Sequence, residues 1–285
     1  MKVKIREIND FDAQIEFKDV DYSFVNSIRR ALISMVPCLA IHQIDFHMGS
    51  LGSYIDKDEN ERDYESISAM FNEIIAHRIG LLPIPTDKET IDAYGETIYE
   101  DDSKQPEIMY SLHKQGPCTV HSGDLEPVDG DAFSIIPETK VPLVKLAEGE
   151  AILIYAKAKM GTAKKHTKWQ SVVAPRFYQA PTVKISEGKK AKKILDLVGK
   201  KKFKKKGKHY IIDDPVEAHK ASNILESLWN DKDAQDAIQI DTKTNHFIFE
   251  FETNGALTSK LALNQALNAL NKECHDFISN VNTTT

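Results

Sequence analysis

Phe24-Val25-Asn26-Ser27-Ile28-Arg29-Arg30-Ala31-Leu32 is the stretch that decides the fold. Wound as a helix at ~100° per residue and carried on to Met35, it gathers Phe24, Val25, Ile28, Ala31, Leu32 and Met35 into one arc, a face made for packing. Asn26, Arg29, Arg30, Ser34 and Ile33 fall on the remaining surface. An isoleucine beside two arginines suggests that this outer face also meets something, although a solvated pair of charges is the commoner fate of arginine. Asp21 or Ser23 can cap the first free N–H groups, and Pro37 stops the helix by excluding Val36 from helical geometry. The stretch holds no catalytic group; it reads as scaffold.

Working outward, two strands precede the helix, Val3 to Ile8 and Ala13 to Lys18, the second alternating Ala13, Ile15 and Phe17 with Gln14, Glu16 and Lys18. Ile41 to Phe46 alternates as well. A second helix is expected over Ser68 to Ile79, with Met70, Phe71, Ile74 and Ile75 on adjoining positions and Gly80 ending it as a C-cap. Ala151 to Met160 is a long strand, Lys168 to Ile185 holds at least one more, and Asn245 to Glu252 leads through Asn254-Gly255 into a helix over Thr258 to Val281. In that last helix Leu263, Ala266, Leu267, Leu270, Cys274, Phe277, Ile278 and Val281 share an arc of about 120° and a seam of roughly 27 Å. Periodicity alone leaves two readings of the seam open, an internal amphipathic helix or an interface with another chain.

Composition narrows the function classes. With 285 residues, 41% of them hydrophobic, the chain can bury a substantial core in roughly two domains. No apolar run approaches the ~20 residues of a membrane helix, and there is no signal-like apolar region. Three widely separated cysteines, Cys38, Cys118 and Cys274, argue against a disulfide framework, so a cytoplasmic protein with no membrane partner is expected. The net charge of −6 conceals an asymmetry: Gly188 to Lys208 holds eleven lysines and one acid and carries +10, which leaves −16 for the rest. Such a run reads as a solvated loop. Lys200, Lys201, Lys202, Lys204, Lys205 and Lys206 are its candidate contacts, either with nucleic acid or with an acidic partner. The acidic stretches Asp56 to Glu65 and Asp87 to Asp102 both read as surface loops.

Several chemistries are weighed and set aside. Cys118, His121 and His113 offer three ligands where structural zinc takes four, and Asp45 with His47 reads as surface. His77 beside Arg78 has no accompanying acid or nucleophile. The glycines near Gly199 and Gly207 lack the spacing and hydroxyl of a phosphate loop, and no triple aspartate for catalytic magnesium is present. No catalytic residue and no metal site is expected in this chain.

Asn26-Ser27-x-Arg29-Arg30 on an early helix, then His77-Arg78-x-Gly80-Leu81-x-Pro83-Ile84, then Glu252-Thr253-Asn254-Gly255 before a terminal helix, resembles one family in motif and order. It is the family of the archaeal DNA-directed RNA polymerase subunit that is related to the third-largest subunit of the eukaryotic polymerase and to the N-terminal domain of bacterial alpha. The resemblance covers residues 3 to about 185 and 240 to 281. It implies an α+β fold: an alpha-like dimerisation domain, an antiparallel sheet with two long helices, over 1–47, 168–185 and 240–285, interrupted by a mostly β inserted domain over 48–167. It also implies a non-catalytic assembly platform for DNA-directed RNA polymerase. Phe24, Ile28, Leu32, Met35, Leu263, Leu267, Leu270 and Phe277 would then face a small alpha-like partner subunit. Asn26, Arg29, Arg30 and Ile33 would dock the two large catalytic subunits, with DNA met only inside the assembled enzyme. Some relatives carry an iron–sulfur domain at 186–239; this chain has no cysteine there, so no cluster, and no zinc, is expected, and a lysine-rich loop followed by a helix through Ala218 to Trp229 stands in its place. The rival reading is a stand-alone homodimer that uses segment 188–208 on nucleic acid.

Overall fold

The computed structural model describes residues 1–99, 107–128, 138–188, 191–228, 231 and 236–283. In chain order the elements are β1 (Lys2–Ile8), β2 (Asp12–Lys18), α1 (Tyr22–Ser34), β3 (Cys38–Phe46), β4 (Ser50–Ile55), β5 (Glu61–Glu65), α2 (Asn72–Gly80) and α3 (Lys88–Tyr94). There follow β6 (Ile108–Gln115), β7 (Cys118–His121), β8 (Glu126–Pro127), β9 (Pro142–Leu146), β10 (Ala151–Gly161) and β11 (Val172–Ser186). The last are α4 (Ala191–Val198), β12 (Lys204–Lys206), β13 (His209–Ile212), α5 (Pro215–Leu225), β14 (Ile238–Thr253) and α6 (Ser259–Thr283). The fold is α+β, as expected. It gathers into two compact units, Met1–Glu7 with Ala13–Ser27 and Pro175–Glu250, and Ile8–Asp12 with Ile28–Ala174 and Phe251–Thr285.

The first unit is built on a six-stranded sheet in the order β1-β2-β14-β11-β13-β12. The alternation of β2 sends Ala13, Ile15 and Phe17 into the core. Phe17 meets Phe249 edge-on at 6.3 Å, Phe177 meets Phe247 at 5.8 Å, and Tyr22 of α1 lies 5.1 Å from Phe177, so the start of α1 is seated on an aromatic layer. Glu16, of opposite parity, is buried as well. It is neutralised by Arg6 and Lys18, each at 2.9 Å, and hydrogen-bonded to His246 at 2.8 Å, as a buried carboxylate must be. Burial works against ionisation of Glu16, but the hydrogen bonds from Lys18, His246 and Arg6 outweigh it and bring its pKa down to about 2.

The lysine-rich segment is not the loop expected of it. Val183, Ile185, Ile194, Leu195, Val198, Ile212, Ala218, Ala221 and Leu225 close a small core of their own, with Phe203 and Tyr210 packed against it. β13 pairs antiparallel with β11, and β12 with β13, which extends the main sheet. The segment therefore shares the first unit with β1 and β2 rather than standing apart as residues 186–239. Asp214 caps α5, accepting from the N–H groups of Val216 at 3.0 Å and Glu217 at 3.1 Å, and it also takes a bond from Arg6 Nη1 at 2.8 Å. The helix ends at Leu225 with a 3-10 turn over Glu226–Leu228; Trp229 lies outside the described residues.

In the second unit a four-stranded sheet runs β3-β10-β6-β8, with β3 and β10 antiparallel from Ile154↔Phe46 to Gly161↔Cys38 and a bulge at Lys157/Ala158. Gly161 is required where it stands, because a Cβ there would lie 2.4 Å from Cε2 of the Trp169 ring. The segment after α2 is a structural seat: Ile79, Leu82 and Ile84 are buried, and Arg78 Nη1 donates to the Leu143 carbonyl at 2.7 Å. Thr86 knots it to its neighbours, its hydroxyl accepting from the Leu39 N–H and donating to the Ile84 carbonyl, both at 3.0 Å, while its N–H bonds the Ala256 carbonyl at 2.7 Å.

Two local expectations are corrected. Phe71 is extended (φ −62°, ψ 142°), so α2 begins at Asn72, four residues late. Gly80 is still helical, and the C-cap is Leu81 in right-handed geometry (φ −99°, ψ 0°), so the left-handed freedom of glycine is not used there.

Candidate assembly interface

The terminal helix is anchored at its start, and midway along it Lys272 pairs with Glu96 at 3.2 Å. The Ser259 N–H bonds the Asp10 carbonyl at 2.8 Å, the Ser259 hydroxyl bonds the Asn9 carbonyl, and Thr258 Oγ1 accepts from the Leu261 N–H at 3.3 Å. Asn254 fixes the turn before it through the Ser171 carbonyl at 3.0 Å and the Gln170 carbonyl at 3.2 Å, with Gly255 at φ +93°. At the seated end of α6, Ala262 and Ala266 are buried and Ala269 is half-buried. From Asn271 to Asn282 every side chain is exposed.

This arrangement separates the two readings of the seam. Ala262 and Ala269 lie more than about 90° around the helix from the centre of the seam of Leu263, Leu267, Leu270, Cys274, Phe277, Ile278 and Val281, while Ala266, which periodicity counts with that arc, stands at its edge and is buried. Leu263 and Leu270 are half-buried, Leu267 is 40% exposed and Phe277 is 70% exposed. The helix therefore turns alanines to its own unit and leaves Leu267, Phe277, Ile278 and Val281 in the open, the reverse of what a helix covering its own core does. Ordinary solvation does not maintain such a stripe at helical spacing, and the seam is the candidate site.

On α1 the residues named with it divide. Ile28 and Leu32 are 2% and 1% exposed, inside the core of the chain, so neither has surface left for a partner, and their placement on an interface is corrected. Their arc, with Val25 and Ala31, is already filled. Phe24 remains 41% exposed, edge-on to Phe17 at 6.3 Å, and Met35 is half-buried. On the opposite face Asn26, Arg29 and Ile33 are half-buried and Arg30 is exposed. Ser27 and Ser34 spend their hydroxyls on the Ser23 and Arg30 carbonyls, each at 2.8 Å.

A second apolar surface stands open around α2. Phe71 at the N-cap of α2, Ile74 within it and Leu81 at its C-cap are exposed, while only Ile75 and Ile79 of α2 are buried. The signal was present, since Ile75 and Ile79 by themselves complete the stripe that a core needs and leave Phe71 and Ile74 over.

The lysines sort into two sets. Lys202 pairs with Glu217 at 2.8 Å, Lys206 with Asp213 at 2.9 Å, and Lys205 with Glu187. Lys200, Lys201 and Lys204 are exposed and make no ion pair among the described residues. All of β12 is lysine, and it is the edge strand of the sheet, where like charges discourage pairing with another edge.

Among the described residues no three His, Cys, Asp or Glu side chains stand together as a metal site. Cys38 is buried and its thiol is pushed up to about 12 by that burial. No helix among the described residues is long and apolar enough to cross a membrane.

Compared with known families, residues 14–274 match the model of the RNA polymerase Rpb3/Rpb11 dimerisation domain. The chain belongs to the Rpb3/Rpb11 dimerisation-domain family. Among its relatives is DNA-directed RNA polymerase subunit Rpo3 of Thermoplasma volcanium, 33% identical over 273 residues and covering 95% of each chain. The protein of the same name from Pyrococcus furiosus is 30% identical over 98% of this chain and 96% of its own, and that from Picrophilus torridus 29% identical over 97% and 98%. Membership in the Rpb3/Rpb11 family gives the open seam on α6 its context, because the domain shared by these proteins is described by its dimerisation.

Proposed function

We propose that this chain pairs with a small alpha-like subunit through the α6 seam, and that the pair then docks the two large catalytic subunits. The chain is an assembly subunit of DNA-directed RNA polymerase, and so part of a nucleotidyltransferase complex. The observation that carries the finer reading is the offset between the alanine seat of α6 and its exposed seam. Burying an apolar side chain contributes about 1.5–3 kcal/mol, so Leu267, Phe277, Ile278 and Val281 together can hold a stable pair. The exposed Phe71, Ile74 and Leu81 in and around α2, with Arg30, support docking of the large subunits, arginine being suited to forked bonds with carboxylates at interfaces.

In this reading the chain contributes no catalytic residue and carries neither iron nor zinc. Metal analysis of the purified chain should find less than one equivalent of either; a stoichiometric metal would overturn that part. Leu267→Glu and Phe277→Asp should each abolish pairing with the small subunit while leaving the chain folded, since charge buried without a partner is costly. Normal pairing by both variants would overturn the assignment of the seam. A homodimer that forms equally well with or without the small subunit would favour the stand-alone reading.

A further inference from the structure

We propose that the lysine lobe, the helix α4, the β12–β13 hairpin and the turn between them, is a sequence-independent contact for the phosphate backbone of double-stranded DNA in the assembled polymerase. The inference rests on the function proposed above, because it needs DNA to be brought to the complex by other subunits.

Its first support is the division of labour among the lysines. Lys202, Lys205 and Lys206 are bound to Glu217, Glu187 and Asp213, none of which lies within the lysine run, and these pairs tie the lobe together. Lys192, Lys193, Lys200, Lys201, Lys204 and Lys208 are exposed and form no ion pair among the described residues. Holding these exposed ammonium groups close together on a folded lobe costs stability through self-repulsion, and an external anion relieves that cost. Edge protection accounts for Lys204 but not for Lys192 and Lys193 on a helix, nor for Lys200 and Lys201 in a 3-10 turn.

Phosphate backbone fits this surface better than an acidic protein does. Between Gly188 and Lys208 there is no arginine, so the donors are flexible point charges without the forked geometry that fixes a carboxylate. An acidic protein partner would also need apolar anchors at the centre of its footprint. Leu197 of α4 is the lobe's exposed large apolar side chain among the described residues, a single one and no central cluster, and its aromatic side chains, Phe203 and Tyr210, pack against its own core. The same commitment removes a stacking platform for unpaired bases, which leaves duplex DNA, where affinity comes from lysine to phosphate contact and counterion release.

The test is salt-dependent DNA retention by polymerase reconstituted with K200Q/K201Q/K204Q/K208Q, which spares the three bound lysines and so the fold. A second variant, K2Q/K88Q/K145Q/K260Q, removes the same charge from exposed lysines elsewhere. For the lobe variant the slope of log affinity against log salt should become shallower by about 0.9 for each lost contact, up to about 3.6 for four, with the control unchanged. An unchanged slope in an enzyme that has incorporated the variant overturns the inference and leaves the assembly function standing. Equal losses in both variants also overturn it, since net charge alone would then be responsible. Retention by the wild-type lobe of polyglutamate in preference to a duplex would overturn it in favour of an acidic partner. Failure of the wild-type chain to enter polymerase at all overturns both this inference and the function beneath it.

Discussion

Phe277→Ala should weaken pairing with the small subunit strongly and leave the folding of the chain almost untouched. The side chain is 70% exposed in the lone chain and sits in a stretch where every residue from Asn271 to Asn282 is exposed, so it has little to lose on its own side. An aromatic side chain carries about 200 Å² of surface, of which about 140 Å² is still open here. Closing that area against a partner at about 25 cal/mol per Å² contributes about 3.5 kcal/mol, and the alanine methyl recovers part of it. The net loss of about 2–3 kcal/mol corresponds to a roughly 30- to 150-fold rise in Kd. Calorimetric titration of the small subunit into each version of the chain measures this directly, with a thermal melt of the chain alone beside it. A change in Kd below about threefold, or a fall in melting temperature as large as the fall in affinity, would refute the reasoning, because Phe277 would then be serving the chain and not its partner.

Three further outcomes follow from the packing. The pKa of Glu16 is held at about 2, below its ordinary 4.5, so it adds stability above its unfolded value that is lost as pH falls toward the folded one. The melting temperature should therefore decline between about pH 4.5 and about pH 2, and Glu16→Gln should flatten part of that decline; an identical profile in the variant would contradict it. Asp214→Ala removes the cap of α5 and the partner of Arg6, and should cost about 1–2 kcal/mol in denaturant unfolding, whereas Asp213→Ala, which removes only an exposed pair, should cost under about 1 kcal/mol. Gly161→Ala drives a methyl into the Trp169 indole, whose N–H bonds the Lys159 carbonyl at 3.0 Å and so resists moving; a loss of about 1–3 kcal/mol is expected, and a neutral result would show that the ring yields.

The seam on α6 was legible as a stripe, but periodicity reports only that a face exists, not which body it meets. In the proposed pairing the partner-facing side is set off by a seat of Ala262, Ala266 and Ala269, which hydropathy does not score because alanine serves any helix. The arc on α1 was equally legible and equally ambiguous, and there the answer was the opposite: Ile28 and Leu32 are used inside the chain. The lysine run hid a fold because its charge dominates composition, although Ile194, Leu195 and Val198 stand at i, i+1 and i+4 beneath it and Val183 and Ile185 lie ready on β11 to meet them. Glu16 falls on the wet side of its strand by alternation and is nonetheless buried. Its partners are Arg6 and His246, and the latter is 230 residues away, a proximity that local pattern does not carry. Of the two expected acidic loops, Asp56 to Glu65 overlaps the strand β5 at Glu61–Glu65. The other, from Asp87 to Asp102, is partly α3 and the 3-10 turn after it, with Asp87 capping through the Thr90 N–H, and its end lies outside the described residues.

Native mass spectrometry of this chain co-expressed with the small alpha-like subunit tests the central claim most directly. One copy of each is expected in a single 1:1 complex that is lost in Leu267→Glu. A chain that remains alone, or that forms the same homodimer whether or not the small subunit is present, would contradict it.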